Sequence, residues 1–557
     1  MAVQDKTDSP FREWYADTRG PSAAPLVDYG DCFDQPAYQD VECQDSEFRV
    51  MKPTEGKAFL PKRKDSVTII AGIQKQTEVK IQPQQSVALC PKYLKYHKSF
   101  VLNTGGSIWG LDFAPKSPSA SDPHIQYLAV AGYPGTTDEH HNVGEIQEAG
   151  TVENCIQIWR MDLRLVESEE SPIAAPTLDL CIAHDLGIVR ALQWCPLGTY
   201  QEPLEGQTFT PRLGIMAVAF GDGTIRLISV PHPDGLRMKE KGKGKSAQSG
   251  EHKRSTVYIK LEKSLAILSI PDTCLTTISW GGPYKLIAGC SKGHISLWNV
   301  EWAIKNRAGA NKDTETEDIA HALVYNVKAH TSAVRDLTYH SRHDSNEHDF
   351  VSCGQDGRVR CFDDRDPWTG ATYWKNRGFM NTVAWPSYTE NFFFTDVERN
   401  IRSARTGVTT EHGTTKKEAD NRGEVWQSAG SYFHPFILFS SSDGWLKMKN
   451  PYHGKVKNQK PIITTIYRMK LEENPKKYRY VDGIKPGVYE AKKRAMESLY
   501  YLFLDPEIAI QKCVWNPNLL TSGWIASGGA AGLCRVEFVG VGSDWLKLSE
   551  SYNTADR

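Results

Sequence analysis

Residues 211 to 231 have the sequence PRLGIMAVAFGDGTIRLISVP, which predicts two short strands joined by a tight turn. Asp222-Gly223 favours a two-residue type I′ turn, because that turn needs positive φ at both central residues. The first arm, from Leu213 to Phe220, is apolar almost throughout, so we expect it to be covered on both faces. The second arm, from Ile225 to Val230, is rich in β-branched residues. Such a hairpin is typical of the inside of a repetitive all-β structure.

The pattern recurs along the chain. Seven apolar runs end in an aromatic residue, often with proline soon after, at Phe113, Trp194, Trp280, Tyr339, Trp385, Phe433 and Trp515. Tight turns at Lys292-Gly293, Asp356-Gly357 and Asp443-Gly444 follow three of these runs, as Asp222-Gly223 follows Trp194. Repeats of short strands indicate radial packing. We therefore predict an all-β, seven-bladed β-propeller, closed by a strand from about Ser86 to Leu102 that pairs with the last unit.

The repeats resemble WD40 repeats. The best unit has His330, Ser352 and Asp356 at family positions, with Phe362 where the family usually has tryptophan. The remaining matches are the tryptophan positions of two units and the histidine position of another, at Trp159, Trp298 and His184. In the family these residues bridge strands through hydrogen bonds, and they carry no information about function.

The distances between the aligned aromatics indicate insertions. These residues lie 46 to 86 positions apart, whereas a bare blade needs roughly 40 to 45. We place the main insertions at about 232–255 and 451–501, within a WD40-like propeller over 61–545. The first 60 residues combine acidic side chains and prolines without periodicity, so we predict a disordered acidic tail there. We predict a C-terminal tail at residues 546–557.

Composition limits the class of protein. The 557 residues carry a formal net charge of -1, but residues 1–50 have eleven acidic against four basic side chains. The start of the chain lacks a secretory signal, and no apolar run approaches the roughly 20 residues of a membrane helix. We therefore expect no membrane partner, and buried reduced thiols at cysteines such as Cys195, Cys290 and Cys353.

No catalytic motif is visible. The sequence lacks a Walker loop, a dinucleotide fingerprint and a nucleophile elbow. Asp138, Glu139, His140 and His141 are adjacent, and adjacent ligands do not easily face one metal ion, so a solvated loop is the preferred interpretation. We expect no catalysis, no metal, no cofactor and no small-molecule substrate.

Two basic segments are candidate contacts to DNA or to a partner. The first insertion contains Lys239, Lys241, Lys243, Lys245, Lys253 and Arg254. It is either a flexible solvated insertion or an arm that contacts phosphates without reading sequence. Apolar residues at helical spacing predict a short helix over 488–503, which also carries Lys492, Lys493 and Arg494. That helix either packs on the propeller or presents its charges to DNA or a subunit.

Several stretches resemble a specific family. PRLGIMAVAFGDGTIRLISVPHPDGL, the preceding GIVRALQWCPLGTYQ, and the earlier YLAVAGYPGT and CIQIWRMD are similar to the WD40 propeller subunit 2 of general transcription factor IIIC. The resemblance implies a nuclear protein in the DNA-binding half of a complex that recruits RNA polymerase III to transfer-RNA genes. It further implies recognition of the B-box promoter element together with the largest subunit, with promoter DNA bound within the complex.

Two other classes remain open. A peptide-reading propeller in a chromatin or ubiquitin-ligase complex would need an aromatic or charged pocket at the mouth of the central channel. An enzyme would need a convergent acid, base and nucleophile, which the sequence does not display. We therefore expect a non-catalytic scaffold.

Overall fold

A computed structural model describes residues 36–540, except 64, 74–75, 90–97, 136–143, 166–173, 197, 205, 243–253, 311–314, 341–345, 388, 407–414, 453–461, 483, 485–486 and 489–504. Up to residue 200 the strands are β1 (Phe48–Val50), β2 (Val67–Ala71), β3 (Thr77–Ile81), β4 (Ser86–Ala88), β5 (Ser99–Asn103), β6 (Ile108–Phe113), β7 (Ile125–Gly132), β8 (Asn154–Asp162), β9 (Thr177–His184) and β10 (Val189–Trp194). Up to residue 395 they are β11 (Arg212–Phe220), β12 (Ile225–Pro231), β13 (Val257–Leu261), β14 (Ala266–Leu268), β15 (Leu275–Gly281), β16 (Lys285–Cys290), β17 (His294–Asn299), β18 (Leu323–Lys328), β19 (Val334–Tyr339), β20 (Asp349–Gly354), β21 (Arg358–Asp363), β22 (Asp366–Lys375), β23 (Val383–Ala384) and β24 (Asn391–Thr395). The remaining strands are β25 (Asn400–Arg405), β26 (Lys416–Asp420), β27 (Val425–Gly430), β28 (Ile437–Ser441), β29 (Trp445–Lys449), β30 (Ile462–Glu473), β31 (Lys476–Val481), β32 (Gly487–Val488), β33 (Ile510–Trp515), β34 (Trp524–Gly529) and β35 (Leu533–Phe538).

The helices among the described residues are short and lie in connections between strands. They are α1 (Pro53–Gly56), α2 (Pro233–Gly242), α3 (Val300–Lys305) and α4 (Glu315–Ala322), with 3-10 turns at Lys57–Phe59, Pro506–Ile508 and Leu519–Thr521. In the described part of the chain, no helix has the length and apolar character needed to cross a membrane.

The described strands pair into sheets, which we number from one to seven by the chain position of their innermost strands. Their strand orders are β6-β7-β8-β9-β13-β1, β10-β11-β12-β14, β15-β16-β17-β18, β19-β20-β21-β22, β23-β24-β25-β26, β27-β28-β29-β30-β31-β2-β3 and β33-β34-β35-β5-β4. The short β32 pairs with β30 beside the sixth sheet. Innermost strands of successive sheets contact each other, and β33 contacts β6, so the sheets surround a central channel. The chain is an all-β, WD40-like β-propeller.

In six of these sheets the innermost strand has the same regular form. In each, the pairing with the second strand is shifted by a β-bulge near its start, at Trp109, Arg190, Thr276, Arg335, Trp426 and Gln511. The fifth sheet differs, because its innermost strand β23 has only two residues. The prediction of seven similar units is therefore confirmed for six sheets, and the fifth is irregular.

The propeller has two distinct faces. We call the face at which the innermost strands begin the start face, and the opposite one the end face. Because the strands within a blade alternate in direction, turns between second and third strands lie on the start face. Connections between third and fourth strands lie on the end face.

The hairpin of residues 211 to 231 forms the middle of the second sheet. Strands β11 and β12 pair antiparallel, and every residue of β11 is buried, as predicted. The turn prediction is wrong: Gly223 has φ 86° but Asp222 is not among the residues with positive φ. Gly223 N–H donates to Phe220 O at 3.2 Å and Phe220 N–H to Thr224 O at 2.9 Å. This is a three-residue loop with glycine in the left-handed position, and Asp222 Oδ1 fixes it by accepting from Thr224 N–H at 3.0 Å.

The ring is closed by pairing between the last described strand, β35, and the much earlier strand β5. Strand β5 pairs antiparallel with β35, with Val101 opposite Arg535, and β4 pairs with β5 on its other side. The stretch predicted to close the ring does so, but it forms two antiparallel strands, β4 and β5, and not the single strand expected from about Ser86 to Leu102.

Residues 36–60 are folded onto the ring, so the expectation of disorder fails over this part of the tail. Strand β1 pairs with β13, which pairs parallel with β9 of the first sheet. Tyr38, Phe48 and Phe59 are buried, and burying these aromatic rings provides the apolar area that the acidic composition alone does not. The first 35 residues lie outside the described part.

The predicted insertions also contain regular structure. The first begins as α2 rather than as a flexible loop. In the second, β30 is the fourth strand of the sixth sheet, and β31 joins that sheet to β2. Val488, where the predicted helix was to start, belongs to β32, and residues 489–504 lie outside the described residues.

Candidate partner and nucleic-acid interfaces

The aromatic residues that mark the repeat lie at or just beyond the ends of the innermost strands, around the end-face mouth of the channel. Their indole N–H groups join neighbouring sheets: Trp194 donates to Asp112 O at 3.2 Å and Trp280 to Gln193 O at 3.3 Å. Trp515 likewise donates to Ala429 O at 3.2 Å. All three rings are at least 95% buried, so they stabilise the ring of sheets and do not face solvent.

The channel itself is narrow. Two cavities of about 70 and 50 Å³ lie along it and share Asp112, Thr338, Val383, Gln427 and Ser428. Small-molecule sites usually have volumes of roughly 300 to 1,000 Å³. The two cavities therefore fall well below the volume of a small-molecule site.

The WD40 positions of the fourth sheet form a buried network. His330 Nδ1 lies 2.9 Å from Asp356 Oδ1, and His330 Nε2 lies 2.8 Å from Ser352 Oγ. Burial alone would raise the pKa of Asp356, but the hydrogen bond and charge of His330 and the N–H of Thr331 outweigh it and lower the pKa to about 2. Phe362 takes no part in these hydrogen bonds and stacks on Phe350, with ring centroids 5.1 Å apart.

The other WD40 positions make weaker versions of this network. Trp159 Nε1–H donates to Gln157 Oε1 at 3.0 Å, whereas buried Trp298 Nε1 has no hydrogen-bond partner among the described residues. His184 accepts from Leu186 N–H at 3.4 Å and packs edge-on against Phe220. Complete burial lowers the pKa of His184 to about 3. All of these roles are structural.

An N-terminal segment, residues 36–50, lies across the end face of the second and third sheets. Tyr38 O–H donates to Pro283 O at 2.8 Å, and Ala37 N–H donates to Gly198 O at 3.0 Å. The fully buried guanidinium of Arg212 donates to Tyr38 O at 2.6 Å and also to Val41 O. The segment therefore supplies acceptors to a buried cation of the propeller.

The candidate contacts of the first insertion are only partly described. Lys239 pairs with Asp45 of the N-terminal segment at 2.9 Å. Arg254 pairs with Asp234 at 3.0 Å, and the nearby Arg237 pairs with Asp179 at 2.5 Å. Lys241 lies in α2 without a described side chain, and Lys243, Lys245 and Lys253 lie outside the described residues. The two described cations thus have protein carboxylates as partners, on the end-face side.

The structure does not describe the remaining candidate residues. Lys492, Lys493 and Arg494 lie outside the described part, as do Asp138, Glu139, His140 and His141. A different group with metal-ligand atoms, His348, Asp363 and Asp364, occurs in the fourth sheet. Lys285 pairs with Asp364 at 2.8 Å and Arg365 with Asp363 at 2.6 Å, so protein cations already neutralise these carboxylates.

A basic cluster that the sequence analysis missed lies on the start face. Its members come from the third and fourth sheets and from the chain just beyond them: Lys292, Lys328, Arg358, Arg360, Lys375 and Arg377. We call these six residues the start-face cluster. A signal for them was present, since Lys292 and Arg358 belong to the stretches SKGH and QDGR at predicted tight turns. Cys195, Cys290 and Cys353 are buried free thiols, as predicted.

Comparison with known proteins identifies a WD40 repeat and related transcription factor subunits. A model of the WD domain, G-beta repeat, matches residues 322–363, which include the network of His330. Transcription factor tau subunit sfc6 of Schizosaccharomyces pombe is 24% identical over 461 residues, 79% of this chain. General transcription factor 3C polypeptide 2 of Homo sapiens is 24% identical over 502 residues, 78% of this chain.

The resemblance to subunit 2 of factor IIIC is confirmed. The chain spans 64% of the length of the fission-yeast relative and 52% of the human one. The orangutan protein, from Pongo abelii, also matches at 24% identity. Among solved structures, a chain of the "Crystal Structure of Mitotic Checkpoint Complex" aligns with a TM-score of 0.42 and 11% identity, over 79% of this chain and 91% of that one.

Proposed function

We propose that the chain is a non-catalytic scaffold subunit of a nuclear transcription factor IIIC complex. In this role it supports recognition of the B-box promoter element and transcription of transfer-RNA genes by RNA polymerase III. Its partners are other factor IIIC subunits, especially the largest one, and promoter DNA within the complex. The observation that carries the proposal is the similarity over 79% of the chain to a transcription factor tau subunit.

The proposed domain organisation is based on the contacts between neighbouring sheets of the ring. We infer that the irregular fifth sheet is a seventh blade, because β23 contacts both β19 and β27 and so fills the gap between its neighbours. The propeller then occupies 61–545, with residues 36–60 docked upon it. A scaffold of this kind offers several connections on each face for subunits, and an interface of standard size needs only about 20 to 30 residues a side.

Affinity purification tests the proposal. The tagged full chain, recovered from nuclear extract, is expected to bring down the largest factor IIIC subunit and others, identified by mass spectrometry. Extract without the tagged chain is the control. Recovery of the chain without any factor IIIC subunit contradicts the proposal.

A further inference from the structure

We propose that the start-face cluster is a phosphate-binding surface for the backbone of duplex DNA. The proposal rests on the proposed function and specifies where on the propeller DNA lies. It differs from the sequence-based prediction, because the cluster belongs to the third and fourth sheets and not to the lysine-rich insertion, which leaves the second sheet on the end face.

On the third sheet, the cations surround the turn between β16 and β17. Lys292 lies in this turn, and Lys328 ends the outermost strand, β18. Lys328 Nζ donates to Lys292 O at 2.6 Å, and His294 lies directly opposite Lys328 in the ladder. Burial, followed by the charges of Lys328 and Lys292, lowers the pKa of His294. The two lysines therefore produce a positive field at this corner of the face.

On the fourth sheet, cations again surround the turn between the second and third strands, β20 and β21. Arg358 begins β21 directly opposite Lys375, which ends β22, and exposed Arg377 follows in the loop. Arg360 Nη1 donates to Ala329 O at 2.5 Å, and Ala329 is the residue after Lys328. This hydrogen bond ties the two groups of cations to one continuous surface across the two sheets.

The six cations are not held in salt bridges. Within the described residues, no ion pair joins any of the six to a carboxylate, although the charge of Asp356 attracts Arg360. The carboxylate nearest in sequence, Asp356, is buried and bound to His330 and to the N–H groups of Thr331 and Arg358. By contrast, Lys239 and Arg254 of the insertion have acidic partners. Adjacent cations repel each other, and a bound polyanion would relieve this repulsion.

The form of the surface favours a nucleic-acid backbone. Lys292, Lys328, Lys375 and Arg377 are exposed cations at the ends of strands and in loops, where the phosphates of a duplex can reach them. Such contacts give affinity that decreases with salt and does not depend on sequence. Sequence recognition would then belong to another subunit of the complex.

The test is the salt dependence of DNA binding. The purified full chain is titrated against a fluorescein-labelled 30-base-pair duplex at several salt concentrations, with a second duplex of permuted sequence. The variant carries Lys328→Gln, Lys375→Gln and Arg377→Gln. Each lost phosphate contact lowers the magnitude of the slope of log K against log salt by about 0.9. We expect a decrease of about 2 to 3 and an affinity at 0.1 M salt that is lower by about 100-fold or more, equally for both duplexes.

Two further variants serve as comparisons. Lys52→Gln, Lys57→Gln and Lys263→Gln remove the same charge from exposed positions near α1 and β13, and are expected to leave the slope unchanged. Lys239→Gln, Lys241→Gln, Lys243→Gln and Lys245→Gln measure the insertion in the same assay. Circular dichroism and thermal melting verify that each variant folds, since the substituted side chains of the cluster are exposed.

Several results would overturn the proposal. These are a wild-type chain without salt-dependent DNA binding, or a cluster variant whose slope equals that of the wild type. If the cluster variant also loses factor IIIC subunits in affinity purification while its slope is unchanged, the surface contacts an acidic protein instead. If it still recovers those subunits, the proposed function stands and only the DNA surface is rejected.

Discussion

Arg212 is a buried cation without a described carboxylate partner. Its side chain is inaccessible to solvent, and its three hydrogen bonds go to the main-chain oxygens of Thr199, Tyr38 and Val41. Burial, which disfavours the charged form, lowers the pKa of Arg212. A buried charge that loses its acceptors is costly, so the N-terminal segment that supplies two of them is held in place.

Arg212→Met is expected to release this segment without unfolding the ring. The thioether fills most of the space but donates nothing to Tyr38 O and Val41 O. Removing hydrogen bonds to a charged group weakens docking by about 2 to 3 kcal/mol. Hydrogen exchange at the amide of Ala37, which donates to Gly198 O, should then accelerate by about 30-fold or more.

The matched control is Arg226→Met in the same sheet. Arg226 pairs with Asp222 at 2.9 Å on the far side of the hairpin and does not contact the N-terminal segment. Exchange at Ala37 should remain at the wild-type rate in this variant. Equal acceleration in both variants would show that Arg212 does not hold the segment.

At the level of elements, the sequence predicts the inner strands of the blades better than the outer ones. An apolar run ending in an aromatic residue identifies β10 and β33, because those strands are buried between sheets and their tryptophans bond to the neighbouring sheet. Outer strands such as β22, in which only one of ten residues is buried, lack this constraint. Pairing of β1 with β13 joins segments about 210 residues apart, and no local pattern encodes it.

The turn at Asp222-Gly223 shows how a correct element can have an incorrect detail. The dipeptide Asp-Gly is compatible with both a two-residue turn and a three-residue loop. Contacts made by the neighbouring residues decide which of the two forms. Asp222 bonds to Thr224 and Arg226, which favours the three-residue loop. The candidate sites also differ in how far local sequence reveals them. The lysines of the insertion are close together in the sequence, whereas the residues of the start-face cluster lie between 292 and 377 and are brought together by the pairing of strands.

Closure of the ring can be tested at β5. Val101 is buried and paired on both sides, with Arg535 of β35 and Val87 of β4. Val101→Pro removes a ladder N–H and places a ring in the sheet, which costs about 3 kcal/mol or more. We expect a lower and broader thermal transition, measured by circular dichroism.

Val101→Ala separates the backbone effect from the loss of side-chain volume. It removes two methyl groups while keeping the N–H, so a loss of about 1 to 2 kcal/mol is expected. If the proline and alanine variants melt at the same temperature, pairing of β5 with its neighbours is not what closes the ring.

At the scale of the whole molecule, acid stability should depend on histidines distributed around the ring. Burial lowers the pKa of His184 in the first sheet and of His434 near the end of β27 to about 3, and that of His232 after β12 to about 4. An unfolded chain binds a proton at each near pH 6.5. Because the folded pKa values lie below the unfolded ones, these histidines cost no stability above pH 6.5, and their destabilising contribution grows as the pH falls towards 4 and 3.

His434 provides the test of this dependence. Its Nε2–H donates to Ser522 O at 3.2 Å, and its ring lies edge-on to Trp515 with centroids 4.3 Å apart. At pH 5 the cost of keeping this ring neutral in the folded state is about 2 kcal/mol. His434→Gln keeps a hydrogen-bond donor but does not titrate. Between pH 7 and pH 5, the unfolding free energy measured in urea should therefore decrease by about 2 kcal/mol less in this variant than in the wild type. His321→Gln, at an exposed position on α4, should retain the wild-type dependence; if His434→Gln does so too, buried histidine does not set the acid limit of this propeller.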